Sequence, residues 1–138
     1  MLKKILIGLV VLVVAFIAVG FILPSQVHLE RSTVINAAPA AIYPHVSDWE
    51  KMNVWSPWAK RDPNTKWTFE GETGAVGSKM SWTSDHADVG NGSQEILEAK
   101  ANELVKTKLD FGQDGGAEAF FKLEAADAGT KVTWGFDT

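Results

Sequence analysis

The chain has 138 residues, with 17 acidic and 13 basic side chains, a formal net charge of −4 and no cysteine. The acidic balance argues against a nucleic-acid partner, because a basic surface supplies much of the affinity in such complexes. Without cysteine the chain can form no disulfide and carry no lipid on a cysteine, and its length corresponds to one domain.

The first element in chain order is an uncharged, almost wholly apolar run of nineteen residues at 5–23. A helix of this length can cross a bilayer core of about 30 Å. Lys3 and Lys4 precede the run, and such lysines hold the amino terminus in the cytoplasm. We therefore expect a transmembrane helix over residues 1–24.

This helix would place the remaining domain, residues 25–138, on the far side of the inner membrane. The expected localisation is a single-pass inner-membrane protein with a cytoplasmic amino terminus and a periplasmic domain. The alternative is a cleaved signal peptide, for which residues 18–20 (Ala-Val-Gly) form a suitable cleavage triplet.

The next segment predicts one strand followed by two short helices. Apolar and polar residues alternate over 27–35, which is the period of a strand. A helix then starts at residues 36–39 (Asn-Ala-Ala-Pro) and is shortened or kinked by Pro44. A second short helix is expected within residues 51–58, ending at Ser56-Pro57.

From residue 66 onward, regular alternation predicts about six further strands joined by short loops. Glycine-rich turn sequences occur at 90–92 and 112–116. Each strand has one apolar and one polar face, which is typical of an antiparallel sheet covered on one side. The expected fold class is α+β: a curved antiparallel meander with two short helices after the first strand.

The strand pattern reaches residue 138 without a turn or a closing helix. Two short helices cover little of a sheet whose inner face is aromatic. Because an exposed aromatic face is an aggregation liability, we expect the chain to be truncated at its carboxyl end.

Six short stretches, residues 27–32, 36–39, 53–58, 77–82, 92–96 and 129–134, carry a resemblance by their order and spacing. They resemble the SRPBCC superfamily of START-like and polyketide-cyclase-like proteins. The chain is most similar to its membrane-anchored bacterial "polyketide cyclase/dehydrase and lipid transport" members. The resemblance implies a helix-grip fold, in which a seven-stranded antiparallel sheet grips a long carboxyl-terminal helix over an apolar cavity; that helix is missing here. It implies no single activity, since the superfamily includes cyclases, lipid carriers, co-chaperones and hormone binders.

The polar residues do not form a recognisable catalytic or metal-binding pattern. The three histidines, His28, His45 and His86, have no metal-ligand spacing, and the polar sequence at 85–88 is expected to be a solvated hairpin loop. No nucleophile elbow, phosphate-binding loop or dinucleotide fingerprint occurs. We therefore predict no metal, no cofactor and no catalytic residues, and favour a role other than that of an enzyme.

Large apolar side chains share one face of the predicted sheet. So many rings suit a ligand-sized cavity, although they could also form an ordinary core. Trp55 and Trp58 flank Pro57 and could gate the mouth of that cavity or pin the helix to the sheet. The predicted ligand-cavity residues are Trp55, Trp58, Trp67, Phe69, Met80, Trp82, Leu109, Phe111, Phe121, Leu123, Trp134 and Phe136.

The first functional hypothesis is a membrane-tethered module that binds a hydrophobic small molecule or lipid. The second is a cyclase/aromatase-like enzyme, in which Thr107, Gln94 or His86 orients a reactive chain. The third is a ligand-free stress-response or interaction module, whose aromatic residues form a plain core.

Overall fold

The computed structural model describes residues 2–22 and 27–138. Helix α1 spans Leu2–Ile22, and nine of its large apolar side chains, between residues 6 and 17, are exposed. Across the described ranges, no helix has the length and apolarity needed to cross a membrane. The transmembrane prediction is thus not confirmed, and the predicted domain boundary at 24/25 lies outside the described residues.

Four short helices follow strand β1 (His28–Ile35), where the sequence predicts two. Proline occupies the first turn of three of them, where its missing N–H group costs nothing, but it cannot continue a preceding helix. The prediction of two helices is wrong because Pro44 and Pro57 each end one helix and begin another, and because Asp48 caps the start of α4. The four helices are α2 (Pro39–Ile42), α3 (Pro44–Ser47), α4 (Trp49–Trp55) and α5 (Pro57–Arg61).

Helix α4 begins at a side-chain cap. The Asp48 side chain accepts hydrogen bonds from the backbone N–H groups of Glu50, at 3.0 Å, and Lys51, at 3.3 Å. These are two of the donors that the first turn of a helix leaves without an intrahelical partner. The cap fixes the start of α4 and therefore the positions of Trp49 and Trp55 at its two ends.

Seven strands form one antiparallel sheet in the order β1-β7-β6-β5-β4-β3-β2. Strands β2 to β7 form the predicted meander, and β7 also pairs with β1. Strand β1 agrees with its predicted range. The helices lie between β1 and β2, and the later strands are joined by short connections. The other strands are β2 (Lys66–Glu70), β3 (Lys79–Thr83), β4 (Asn91–Lys100), β5 (Leu104–Asp110), β6 (Gly116–Ala126) and β7 (Gly129–Asp137).

The register of the sheet aligns the predicted apolar positions on one face. Trp67 on β2 lies opposite Trp82 on β3, and Trp134 on β7 lies opposite Phe121 on β6 and Arg31 on β1. Because side chains alternate between faces, opposite residues share a face. The short helices after β1 pack on this face, which is the concave one. It is the apolar face that the sequence predicts to be covered.

The turn predicted at residues 90–92 is wrong, because β4 already begins at Asn91 and the chain turns earlier, at residues 87–89. Gly92 lies opposite Trp82 in the β3–β4 pair, and a Cβ atom at this position would lie 2.5 Å from the indole ring. Gly92 therefore leaves room for the Trp82 indole and does not end β4.

The core lies between α2–α4 and the middle of the concave face. Ile96 on β4 and Val105 on β5 are fully buried, and Ile42, Val46 and Trp49 pack on them from the helices. This core holds the helices against the sheet and leaves the β1–β7 end of the face less covered, with Trp134 exposed.

Candidate functional site

An open groove lies on the concave face where β1 and β7 meet the helices. Its volume is 580 Å³, within the range of roughly 300–1,000 Å³ that is usual for small-molecule sites. Strands β1, β6 and β7 form one side, and α2, α3 and α4 the other. The lining residues are Arg31, Ser32, Thr33, Ile35, Ala37, Ala41, Ile42, His45, Val46, Trp55, Phe121, Val132 and Trp134.

Trp55, the last residue of α4, forms one wall of the groove. Its Nε1 donates a hydrogen bond to the His45 carbonyl at 2.9 Å. Its ring meets Phe121 edge-on, with centroids 6.1 Å apart and planes at 86°. The indole is thus fixed by both its polar and its apolar parts, yet the residue remains 42% exposed.

Trp134 and the neighbouring strand β1 form the opposite wall. Trp134 is 37% exposed, and its ring lies 5.9 Å from that of Phe136. Ile35 on β1, which also lines the groove, is 40% exposed. Large apolar surfaces therefore face solvent from both walls, an arrangement that favours an apolar occupant.

Few polar groups line the groove, and none of them is acidic. Arg31 lies on the concave face of β1, and its guanidinium donates one hydrogen bond to the Glu30 carbonyl at 2.8 Å. His45, on α3, also lines the groove. The groove thus has apolar walls and a single permanent charge, which is positive.

A separate aromatic cluster occupies the other end of the concave face. Trp67 and Trp82 lie 6.4 Å apart, and Trp82 meets Phe111 at 6.2 Å. Trp67 and Trp82 pack against the core, and the Trp82 Nε1 donates to the Val89 carbonyl at 3.4 Å. These rings stabilise the sheet and do not line the groove.

Several buried polar side chains are paired with one another or with backbone. Gln94 Nε2 donates to Thr107 Oγ1 at 2.9 Å, and the Thr107 hydroxyl donates to the Ala119 carbonyl at 3.2 Å. Trp49 Nε1 donates to Ser78 Oγ at 3.0 Å. Within residues 27–138, no buried side-chain nitrogen or oxygen lacks a hydrogen-bond partner.

The polar loop before β4 is fastened to the segment after α5. Ser84 Oγ donates to Asp62 at 2.6 Å and accepts the His86 backbone N–H at 3.0 Å, while Arg61 pairs with Asp88 at 3.0 Å. The hydroxyl of Ser84 and the backbone N–H of Asn64 hold the pKa of the Asp62 carboxyl below its usual value. This network is a structural clasp, and His86 belongs to it.

The described residues bring no group of three or more His, Cys, Asp or Glu side chains together in a way that could hold a metal ion. The three histidines lie on β1, on α3 and in the loop before β4. A second depression of 690 Å³, beside the β4–β5 turn, has several charged residues in its lining. The groove, with its mainly apolar lining, is therefore the candidate site for an apolar ligand.

A family model described as "Polyketide cyclase / dehydrase and lipid transport" matches residues 26–138. The chain belongs to this family. The match includes every strand of the sheet and all residues of the groove. No curated protein matches the chain.

Solved structures share the fold of this polyketide cyclase/dehydrase and lipid transport domain. Ginseng major latex-like protein 151 from Panax ginseng is 17% identical, with a TM-score of 0.59 over 81% of this chain and 78% of that one. The Aha1 dimer from Colwellia psychrerythraea is 19% identical, with a TM-score of 0.56 over 79% and 74%. Ara h 8.0201 is 17% identical, with a TM-score of 0.59 over 82% and 77%.

The predicted cavity residues of this family member fall into three groups. Trp55, Phe121 and Trp134 line the groove. Trp58 lies on the surface, 57% exposed, with the Arg61 guanidinium 5.3 Å from its ring centre. The others lie in the core, in the second aromatic cluster or on nearby strand positions of the same face, namely Trp67, Phe69, Met80, Trp82, Leu109, Phe111, Leu123 and Phe136.

Sequence reasoning missed the groove residues on β1, α2 and α3, among them Arg31, Ile35, Ala41 and His45. The alternation along β1 marks Arg31 as sharing a face with its apolar neighbours, but it does not show that β1 pairs with β7. That pairing, of residues about a hundred positions apart, creates the groove.

Proposed function

We propose that this chain is a binding module that takes up a hydrophobic small molecule or lipid in the groove between β1, β7 and the helices. The observation that carries the proposal is the pair of partly exposed tryptophans, Trp55 and Trp134, in walls that are otherwise mainly apolar. Burying apolar surface contributes about 25 cal/mol per Å². An apolar occupant that covers both rings is therefore favoured over water.

The cyclase/aromatase alternative has no comparable support. Two of the polar groups that it would use, Gln94 and Thr107, are buried and bonded to each other. The third, His86, accepts a hydrogen bond from the Asp88 N–H through Nδ1 in the surface clasp. None of the three lines the groove.

We further propose that α1 tethers the module to the inner membrane, with the groove on the periplasmic side. The uncharged run at 5–23 and the exposed apolar side chains of α1 support this proposal. The nine residues from Ile22 to Arg31 span roughly 30 Å at most. The groove would thus stay close to the bilayer from which apolar ligands come.

The test is native mass spectrometry of the full chain in lipid nanodiscs, before and after denaturation, combined with photocrosslinking to a neutral diazirine probe with an alkyl chain. We expect a released apolar compound and crosslinks to groove peptides. Ala41→Trp, which fills the groove, should abolish the crosslinks. Thr68→Trp, which places the same ring at an exposed position on the other face of the sheet, should not.

A chain that releases no compound and is not labelled by the probe would contradict the binding proposal. Its aromatic residues would then form a plain core, and the ligand-free interaction module would replace a carrier as the explanation.

A further inference from the structure

The groove carries a positive charge, although the chain as a whole is acidic. The chain is acidic, with 17 carboxylates against 13 basic side chains. No carboxylate lines the groove, whereas Arg31 does. A cation beside an apolar channel is the arrangement that binds the head group of an anionic amphiphile.

Most N–H donors of the Arg31 guanidinium make no hydrogen bond to the residues that the structure describes. An arginine has five N–H donors, and one contact of this side chain is the hydrogen bond from its guanidinium to the Glu30 carbonyl. The Glu30 carboxylate pairs with His28 on the other face of β1. Among the described residues, the ion pairs include Arg61 with Asp88 but none with Arg31.

The position of Arg31 suits a head-group contact. It lies opposite Trp134 in the β1–β7 register, so the cation borders one of the two exposed aromatic walls. Arg31 is exposed, and an ion pair with it becomes stronger where a bound apolar chain excludes water from the neighbouring walls. Arginine also binds carboxylate or phosphate through two parallel N–H bonds, which lysine cannot do.

We propose that the natural ligand is an anionic amphiphile, whose carboxylate or phosphate binds Arg31 while its apolar chain lies between Trp55, Phe121 and Trp134. This inference rests on the proposed function and adds the class of the ligand.

The test compares diazirine-bearing decanoate with the matching decanol, each crosslinked to the full chain in nanodiscs of neutral lipid and mapped to groove peptides. We expect decanoate to label the groove at a concentration roughly three- to tenfold lower than decanol. Arg31→Gln should remove this preference by weakening decanoate alone, and Arg31→Lys should keep part of it. Lys131→Gln, which removes a charge from the exposed face of β7, should leave it unchanged.

The outcomes separate the two proposals. Equal labelling by acid and alcohol, or a preference that survives Arg31→Gln, would overturn the anionic head group and leave the binding module intact. Labelling by neither probe would overturn both. A diazirine-bearing decyl phosphate distinguishes the two head groups. Stronger labelling than with decanoate would indicate a lipid phosphate, and weaker labelling would indicate a fatty acid.

Discussion

At the scale of single residues, Gly129 determines how closely the β6–β7 turn approaches the groove. Its φ is +128°, and a Cβ atom there would lie 2.2 Å from the Ile35 carbonyl oxygen and 2.9 Å from the Ala37 nitrogen. Next to it, Thr130 Oγ1 donates to the Ala37 carbonyl at 2.7 Å. Both Ile35 and Ala37 line the groove, so this close approach sets one end of the site.

Gly129→Ala should therefore destabilise the domain by roughly 2–4 kcal/mol, because the new methyl group meets backbone atoms as well as an unfavourable φ. The matched control is Gly77→Ala. Gly77 also has a positive φ, +85°, but open space lies around its missing Cβ, and the expected cost is roughly 1–2 kcal/mol. Chemical denaturation of both variants measures the difference, and equal costs would contradict the role assigned to the close approach.

Titration of His28 should affect how tightly β1 is held against β7. It donates a hydrogen bond to the Asp137 side chain across the β1–β7 pair. This bond, with the nearby charges of Asp137 and Glu30, raises the pKa of His28 above its ordinary value of 6.5. The folded state thus binds the proton more tightly than the unfolded state does, and the pair stabilises the protein below pH 6.5.

We expect this stabilisation to be lost as the pH rises from 6.5 through the raised pKa of His28 in the folded protein. Melting temperatures of the wild type and of Asp137→Asn should therefore differ most at the acidic end of that interval and converge at its alkaline end. Titration of the His28 ring by nuclear magnetic resonance provides the direct measurement. An unchanged pKa in Asp137→Asn would show that the bond does not cause the shift.

At the scale of elements, α4 connects the core to the groove, with buried Trp49 at its start and Trp55 at its end. The Asp48 cap holds that helix in place. Asp48→Ala removes the acceptor of two backbone N–H groups and should cost about 1 kcal/mol of folding free energy. Because α4 presents Trp55, the variant should also show weaker photocrosslinking of the neutral probe.

Asp48→Asn is the control for this prediction. It keeps an oxygen acceptor and loses the charge that faces Lys51 at 3.3 Å, an ion pair of little expected value near the surface. Its stability should lie within a few tenths of a kcal/mol of the wild type. If both variants lost the same stability, the ion pair and not the cap would hold the helix.

The elements also show what the sequence could predict. Alternation with a period of two indicated the strands and their apolar face correctly, because a face is a local property of the chain. The number of helices was wrong, since Pro44 and Pro57 both end one helix and begin another. Gly92 was misread as a turn residue. A glycine is needed there because the indole of Trp82, on the neighbouring strand, occupies the space of a side chain.

At the scale of the whole molecule, the site was harder to predict than the fold. Selecting residues by ring size included Trp67 and Trp82, which stabilise the sheet. It missed Ala41 and Ile35, which line the groove. The groove depends on the pairing of the first strand with the last, and such long-range contacts cannot be read from a local pattern. Trp134 was predicted from its size and its place on the apolar face of its strand, and Trp55 from its position beside Pro57.

The proposed tether concerns the whole chain and calls for a direct test. Fifteen of the nineteen residues at 5–23 are Leu, Ile, Val or Phe, and together they favour insertion by roughly 5–9 kcal/mol. One aspartate at the centre of a membrane helix costs about 2.5–3.5 kcal/mol. The double substitution Leu12→Asp with Phe16→Asp should therefore offset most of the driving force, whereas one substitution should not.

We expect the wild-type chain to remain with the membrane fraction after alkaline extraction and the double aspartate variant to be released. Leu12→Ile with Phe16→Leu changes the same positions without charge and should stay in the membrane. Ser25→Asp adds one charge beyond the run and should also be retained, since it leaves the apolar length intact. A wild-type chain that is itself extracted would contradict the tether. The groove would then have to obtain its ligand from solution, and the binding proposal would stand without the membrane.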